Sequence, residues 1–527
     1  VYDACMDLVR FRRHYHYVLR GWPCKYRRRR DDTARVELAI GLGITFCENI
    51  LPTNGENIAI SAETKPTQRL ELIRGLGAWA AAAIVVGTMI GTGIFLKPAE
   101  MAREAGSSAV VFAAWIVGGV LSMFGALSFA ELGAEIPEAG GEYAYLRRGF
   151  GPVWGFLFGW THSIVGRPSS TASIAAGLMR FVGFLFPAIA APIYTLHVQL
   201  PFFSGHHSEF AFTWAQPLAV LALILLTCIN YLGVRLGGQV QIGLTIIKIT
   251  SVVAIIGFGF FLSHGRSSNF QPIWPTSLSW STTTGFLAAL AAALWVFDGW
   301  EDLNLVGSEI REPGRNIPRA LIGGVAFVIV LFSVFSAVCF YALPFDVVAA
   351  SQHVASDVVE SFAGRGAAVW VTLAMVISAL GTLNSSVLSG ARVDYAMARD
   401  GIFFRFAGSI HPKFRTPGNA LIFQCCLASV MALTGTFEDL TSLFIFAGWI
   451  FYGLAVVALF RLRRSEPNMP RPYKTWGYPL VPLIFVIGAM ALTVSIWIQR
   501  PVRSSIGLAL MCTGLIFYRY WSTRTTE

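Results

Sequence analysis

Apolar runs long enough to cross a bilayer recur along most of this 527-residue sequence. An α-helix needs about 20 predominantly apolar residues to span the hydrocarbon core. From Gly77 onward twelve stretches meet that need, roughly 78–97, 109–134, 151–183, 217–234, 238–262, 282–307, 319–343, 366–391, 418–436, 440–462, 478–497 and 504–522. Only 13% of residues are charged, against about 25% in soluble domains. The alternating ten-residue segments of a membrane β-barrel are absent. The chain reads as an all-α polytopic membrane protein with twelve transmembrane helices.

Composition removes several function classes. The net charge of +10 does not point to nucleic acid; it fits basic loops beside an anionic lipid leaflet. The eight cysteines are scattered with no zinc-like spacing, so they read as small apolar residues and no metal site is expected. No Walker A, HExxH or GxSxG pattern occurs, nor a nucleophile–base cluster in the spans. Neither an enzyme nor a cofactor is expected.

Residues 1–72 differ from the rest. They carry the basic cluster Lys25-Tyr26-Arg27-Arg28-Arg29-Arg30, and the apolar piece from Val36 to Ile50 is interrupted by Glu37 and Glu48. The expectation is a disordered leader or a mis-set start, the alternative a basic tail touching lipid headgroups. The transmembrane domain then runs over 73–522 and leaves a short tail at 523–527. After the third stretch a polar segment with His197, His206, His207 and Glu209 suggests a long loop with a partial helix.

Lysine and arginine set orientation. Loops after even-numbered stretches are rich in them, as in Arg147, Arg148, Arg311, Arg315, Arg463 and Arg464. Those after odd-numbered stretches hold mainly Arg103, Arg266, Arg365, Arg500 and Arg503. Both termini are therefore expected in the cytoplasm.

Two stretches are interrupted. The first holds Gly87, Gly91 and Gly93 with Thr88 and Thr92 between them. Glycine inside a helix costs roughly 0.5–1 kcal/mol against alanine. The cluster suggests either a break or a close-packing face of small residues. In the sixth stretch Asp298, Glu301 and Asp302 sit beside Gly299 within apolar sequence. A carboxylate at mid-bilayer costs at least roughly 2.5 kcal/mol unless it faces a cavity or a partner. Each interrupted stretch opens a set of five, and five is odd. The two sets (78–262 and 282–462) thus enter the membrane from opposite sides, the pattern of a 5+5 inverted-repeat secondary transporter, followed by two extra helices at 478–522.

Five motifs in order then carry a family resemblance: GTMIGTGIF at 87–95, FAELGAEIPEAGGEYAYLRRGFG at 129–151, NYLGVRLGGQVQIGLTIIK at 230–248, FDGWEDLNLVGSEIREPGRNIPRA at 297–320 and SALGTLNSSVLSGARVDYAMARDG at 378–401. The chain resembles the amino acid–polyamine–organocation superfamily, within it the L-type amino acid transporters and related bacterial permeases. The resemblance implies a LeuT-like fold and transport of an amino acid across the cell membrane by alternating access, through sodium-independent exchange or proton-linked uptake. A sensor or channel on the same fold is the alternative. It also implies the site. Gly91, Thr92 and Gly93 match positions that hold the substrate carboxylate, and Met89, Trp295, Val296 and Asp298 match those whose carbonyls face the amine. Phe297 and Gly299, on the same turn, are expected among the substrate-binding residues, and Phe297, Trp300 and Glu301 are similar to gate or pocket positions. Lys248 matches the place where sodium-coupled relatives bind a cation; its alternative is a lysine snorkelling to the interface. Light chains of this family carry an outer-loop cysteine for linkage to a heavy subunit. Residues 184–216 hold none, so no disulfide-linked partner is expected. Arg392 and Arg399 with Asp394 and Asp400 form either a cytoplasmic gate or a plain ion-pair cluster.

Overall fold

The computed structural model describes residues 34–40, 44–50, 72–198, 208–275, 277, 279–434, 437–499 and 501–524. The chain divides into two units, Val1–Leu70 and Glu71–Glu527. In the first, strands β1 (Ala34–Ile40) and β2 (Ile44–Ile50) pair antiparallel, with Ala34 opposite Ile50 and Ile40 opposite Ile44. The basic cluster at 25–30 lies outside the described residues.

The second unit is built from helices. The first interrupted stretch is two of them, α1 (Ala78–Met89) and α2 (Gly93–Ala105). α3 (Ser108–Glu135) follows, then the short α4 (Glu142–Phe150). The overlong third stretch is α5 (Pro152–Thr161), one wide π turn over His162–Gly166, and α6 (Arg167–Leu185). Pro168 accounts for the wide turn: it has no N–H to give and its ring crowds the carbonyl one turn back. The expected partial helix is instead an antiparallel pair, β3 (Pro192–Val198) with β4 (Ser208–Thr213).

α7 (Ala215–Tyr231) and α8 (Val234–Leu262) close the first half. The second interrupted stretch is α9 (Trp280–Val296), a turn, and the four-residue α10 (Asp302–Leu305). Beyond it run α11 (Pro313–Ala342), α12 (Phe345–Ala350) and α13 (Val354–Arg399), the last kinked at Gly364, whose φ is +75°. α14 (Gly418–Thr434), α15 (Phe437–Ser465), α16 (Leu480–Gln499) and α17 (Pro501–Arg524) complete the unit. The last helix takes in Thr523 and Arg524. Among the described residues six helices are long and apolar enough to cross a membrane, and three shorter ones are apolar along their length. Leu221, Leu225, Phe258, Phe261, Ile487 and Ile498 stand exposed on these helices, as lipid-facing positions require.

Polar residues fasten the helices at chosen points. Asn230 on α7 donates to Asn384 on α13 (2.9 Å), which donates to Gln241 on α8 (2.9 Å). Glu131, fully buried on α3, takes both arms of Arg463 and the N–H of Thr475. The Arg148 fork on Glu466 holds that carboxyl below the usual carboxylate range. Just before α1 a backbone strap ties the two interrupted stretches: Leu76 N–H donates to Glu309 O (3.0 Å) and Arg311 N–H to Leu76 O (2.9 Å). Under the strap Arg392 of α13 pairs with Glu309 at 2.7 Å, both fully buried. The expected Arg392–Arg399–Asp394–Asp400 cluster is therefore dispersed. Asp394 is held by Gln424 Nε2 (2.7 Å), Asp400 by Tyr143 and Arg147, and Arg399 lies over the Tyr395 ring. Along α13 these residues point in different directions, so neighbours in sequence meet different helices.

Removing one partner of a buried pair strands the other charge, at about 3–5 kcal/mol. Arg392→Leu is expected to lower the thermal unfolding midpoint of the detergent-purified protein markedly. Arg392→Leu combined with Glu309→Leu recovers most of the loss, as read by intrinsic fluorescence on heating.

Candidate functional site

The two interruptions meet. At the first, α1 stops at Met89, and Ile90 (φ −77°, ψ 77°) leaves the helical path. Gly91 N–H turns back to Met89 O at 2.9 Å. The carbonyl of Gly87 thereby loses the partner a continuous helix would give it, and Ile90 O is freed as well. Lys248 of α8 takes both, Nζ lying 2.7 Å from Gly87 O and 2.8 Å from Ile90 O, with Thr382 Oγ1 at 3.2 Å. Thr382 and Ser378 of α13 also donate to Ile90 O, at 3.2 and 3.1 Å. Lys248 is 0% exposed, so it does not snorkel. On the other side of the break α2 begins, and the N–H groups of Thr92 and Ile94 have no backbone acceptor among the described residues. Such a helix start favours negative charge.

The second break has the opposite polarity. Phe297 N–H reaches Ala293 O (2.9 Å) and Asp298 N–H reaches Trp295 O (3.3 Å), after which the helix ends. Gly299 turns the chain with φ +103°, a conformation that suits glycine. The carbonyls of Val296, Phe297 and Asp298 accept no backbone N–H among the described residues. Glu301 fixes the turn: its Oε2 accepts Gly299 N–H (3.0 Å) and its Oε1 accepts Tyr452 O–H (2.8 Å). The fit is close on both sides. A Cβ on Gly299 would stand 2.5 Å from Thr88 Cγ2, and one on Gly93 would stand 2.7 Å from Trp295 Cζ3.

Between the breaks lies a cavity of about 60 Å³. Met89, Gly91, Thr92, Gly93, Trp295, Val296, Asp298, Gly299 and Glu301 all line it. Phe297 and Trp300 do not. Phe297 packs against Trp115 and Phe332, with ring centres 5.5 and 5.3 Å away, and Trp300 against Phe129 at 4.9 Å. Both are turned by the end of α9 toward the helices behind it. Lys248 stands behind the first break and touches the cavity only through Thr382.

The structure adds Arg167, Asp302, Thr382 and Ser386 to the lining. Arg167 grips Asp302 with both terminal nitrogens and donates to Ser386 Oγ (3.2 Å). The wide turn before α6 is what brings Arg167 inward. Its signal in sequence was Gly166-Arg167-Pro168 inside an apolar run. Thr382 and Ser386 could have been found as part of a polar stripe, with Ser378 and Ser389, at helical spacing on α13.

Residues 76–518 match the family model described as amino acid permease. The chain belongs to that family. This permease is 33% identical over 465 residues to the b(0,+)-type amino acid transporter 1 of Mus musculus, covering 87% of this chain and 89% of that one. It is 30% identical to the serine/threonine exchanger SteT of Bacillus subtilis (strain 168), covering 85% and 96%. It is 29% identical to the cystine/glutamate transporter of Homo sapiens, covering 86% and 84%. The permease is a multi-pass membrane transporter of amino acids and not an enzyme.

Lys248→Met would leave Gly87 O and Ile90 O without their charged donor. Hydrogen bonds to charged groups contribute about 1.5–3 kcal/mol each, so this permease variant should unfold several degrees lower and lose uptake. Gly299→Ala should abolish uptake while the protein still reaches the membrane, measured by labelled amino acid entry alongside surface quantification.

Proposed function

We propose that this permease exchanges amino acids across the cell membrane by alternating access, without sodium. One observation carries the reading: a single cavity has free N–H groups on one wall and free carbonyls on the other. A free amino acid is a zwitterion with both complementary ends. Its carboxylate takes the start of α2, with Gly91 and Gly93 allowing close backbone approach and Thr92 adding a hydroxyl. Its ammonium takes the carbonyls of Val296 and Asp298 at the end of α9. Because the backbone recognises both charges, the side-chain pocket is left to set specificity.

Lys248 stands in for a coupling cation. Its ammonium supplies at the first break the positive charge that a bound sodium would otherwise bring, so transport proceeds without sodium. The helix order supports twelve spans in two inverted sets of five, α1–α8 and α9–α15, with α16 and α17 outside the repeat. Orientation follows the basic loops, which put both termini in the cytoplasm. The relative named a serine/threonine exchanger favours exchange over uptake driven by an ion. With no cysteine in 184–216, the permease is read as working without a disulfide-linked subunit.

Counterflow tests this. Proteoliposomes loaded with unlabelled amino acids should take up labelled ones singly, to the same extent with and without sodium. Binding without entry would make the protein a sensor instead. Gly91→Leu should abolish uptake, since even a Cβ there meets Thr382 Oγ1 at 3.2 Å. Thr92→Val should raise KM about five- to tenfold, the loss of roughly 1 kcal/mol for one hydrogen bond.

A further inference from the structure

Behind the substrate cavity lies a second, smaller one, of about 20 Å³. Arg167 and Glu301 line both, so these two side chains form the wall between them. The far side of the second cavity holds Glu142, the first residue of α4. Glu142 is 1% exposed, and its Oε2 has no hydrogen-bond partner among the described residues.

The charged groups facing it leave it without a counter-ion. Among the described residues Arg167 is the one cation in the lining, and Asp302 takes both of its terminal nitrogens. His162 accepts from Arg167 Nε through Nε2 (3.4 Å), so it is a neutral acceptor there. Glu301 receives two hydrogen bonds, from Gly299 N–H and Tyr452 O–H, which suits an ionised carboxylate. Tyr452 is thereby committed as a donor to Glu301. Asp394 on α13 is held by Gln424, and Glu138 before α4 is paired with Arg147. Tyr145, on α4 itself, is a neutral phenol. A buried carboxyl with one oxygen unpartnered among the described residues, and whose nearest cation is already paired with Asp302, is less costly as the neutral acid than as the anion.

We propose that Glu142 carries a proton in the substrate-free protein and releases it when an amino acid binds. The inference rests on the exchange reading of the same cavity and names a second ligand for it. The bound ammonium sits at the end of α9, beside Glu301, and adds a positive charge to a region rich in carboxyls. That charge favours ionisation of the carboxyl set. Of the carboxyls here, Asp298, Glu301, Asp302 and Glu142, Glu142 is the one with a buried oxygen that lacks a hydrogen-bond partner among the described residues, so it is the member with a proton to give; its O–H bond breaks heterolytically, the electron pair staying on the carboxylate and the proton passing to water. The substrate carboxylate, at the start of α2 across the cavity, opposes this from the far side. By linkage, binding that releases a proton tightens as pH rises. In exchange one substrate leaves as another enters, so proton release and uptake cancel over a full cycle. The pH on each side of the membrane then sets affinity on that side without driving net transport.

Binding to the purified full-length protein in detergent decides it. L-serine, L-leucine and L-lysine, each labelled, are titrated singly between pH 5 and 7.5, below the titration of their own amines. Wild-type Kd should fall about tenfold over that range, the linkage expected for a one-unit change in one carboxyl's pKa. A pH dye in weakly buffered solution should register up to one proton released per amino acid bound. Glu142→Gln, the neutral isostere, should flatten the profile and abolish the release. Wild-type binding with a flat Kd and no proton release overturns the inference and leaves the exchange reading standing, as does a Glu142→Gln profile with the wild-type slope. No binding of any amino acid by folded wild type sinks the exchange reading itself. If Glu142→Gln fails to fold, Glu142→Asp decides: a shifted midpoint supports the proton site, an unshifted one removes it.

Discussion

A helix broken inside a membrane must find partners for the backbone groups it frees, because lipid offers none. Everything at the centre of this permease depends on how that demand is met. At the first break one buried amino group, Lys248 Nζ, bonds the carbonyls of Gly87 and Ile90. Thr382 and Ser378 take the remaining capacity. With the carbonyls satisfied from behind, the N–H groups at the start of α2 are left as the open side. At the second break Glu301 closes the turn from within, through Gly299 N–H, and leaves the carbonyls of α9 open. Each break is thus half satisfied by protein and half available. The available halves have opposite polarity and face one another.

Much of this was legible in the sequence. Span lengths and the basic-loop pattern depend on local composition, which a single sequence displays directly. The two breaks were signalled by Gly87, Gly91 and Gly93 in one, where a close-packing face was the alternative, and by Asp298-Gly299 in the other. Lys248 could be noticed, but its surroundings left two environments open until its burial was known.

What stayed hidden depends on direction and on distant pairing. Phe297 and Trp300 share a turn with lining residues, yet the end of α9 aims them away from the cavity and into aromatic packing. Arg167 and Asp302 lie 135 residues apart, and no local pattern joins them. The wide turn that swings Arg167 inward is a backbone feature that Gly166 and Pro168 permit without specifying. The same limit applies to α13, where Arg392, Asp394 and Arg399 are close in sequence and engage three different neighbours.

The strap at Leu76 has a mechanical consequence. It joins the residue just ahead of α1 to the segment just beyond α10 by two backbone bonds, with a buried ion pair seated beneath. The entry to one discontinuous helix and the exit from the other are therefore stitched into a single leaf. While the stitches hold, α1 cannot tilt without dragging the far side of the second turn along. Opening this end of the permease either carries both discontinuous helices as one piece or first unpicks the stitch.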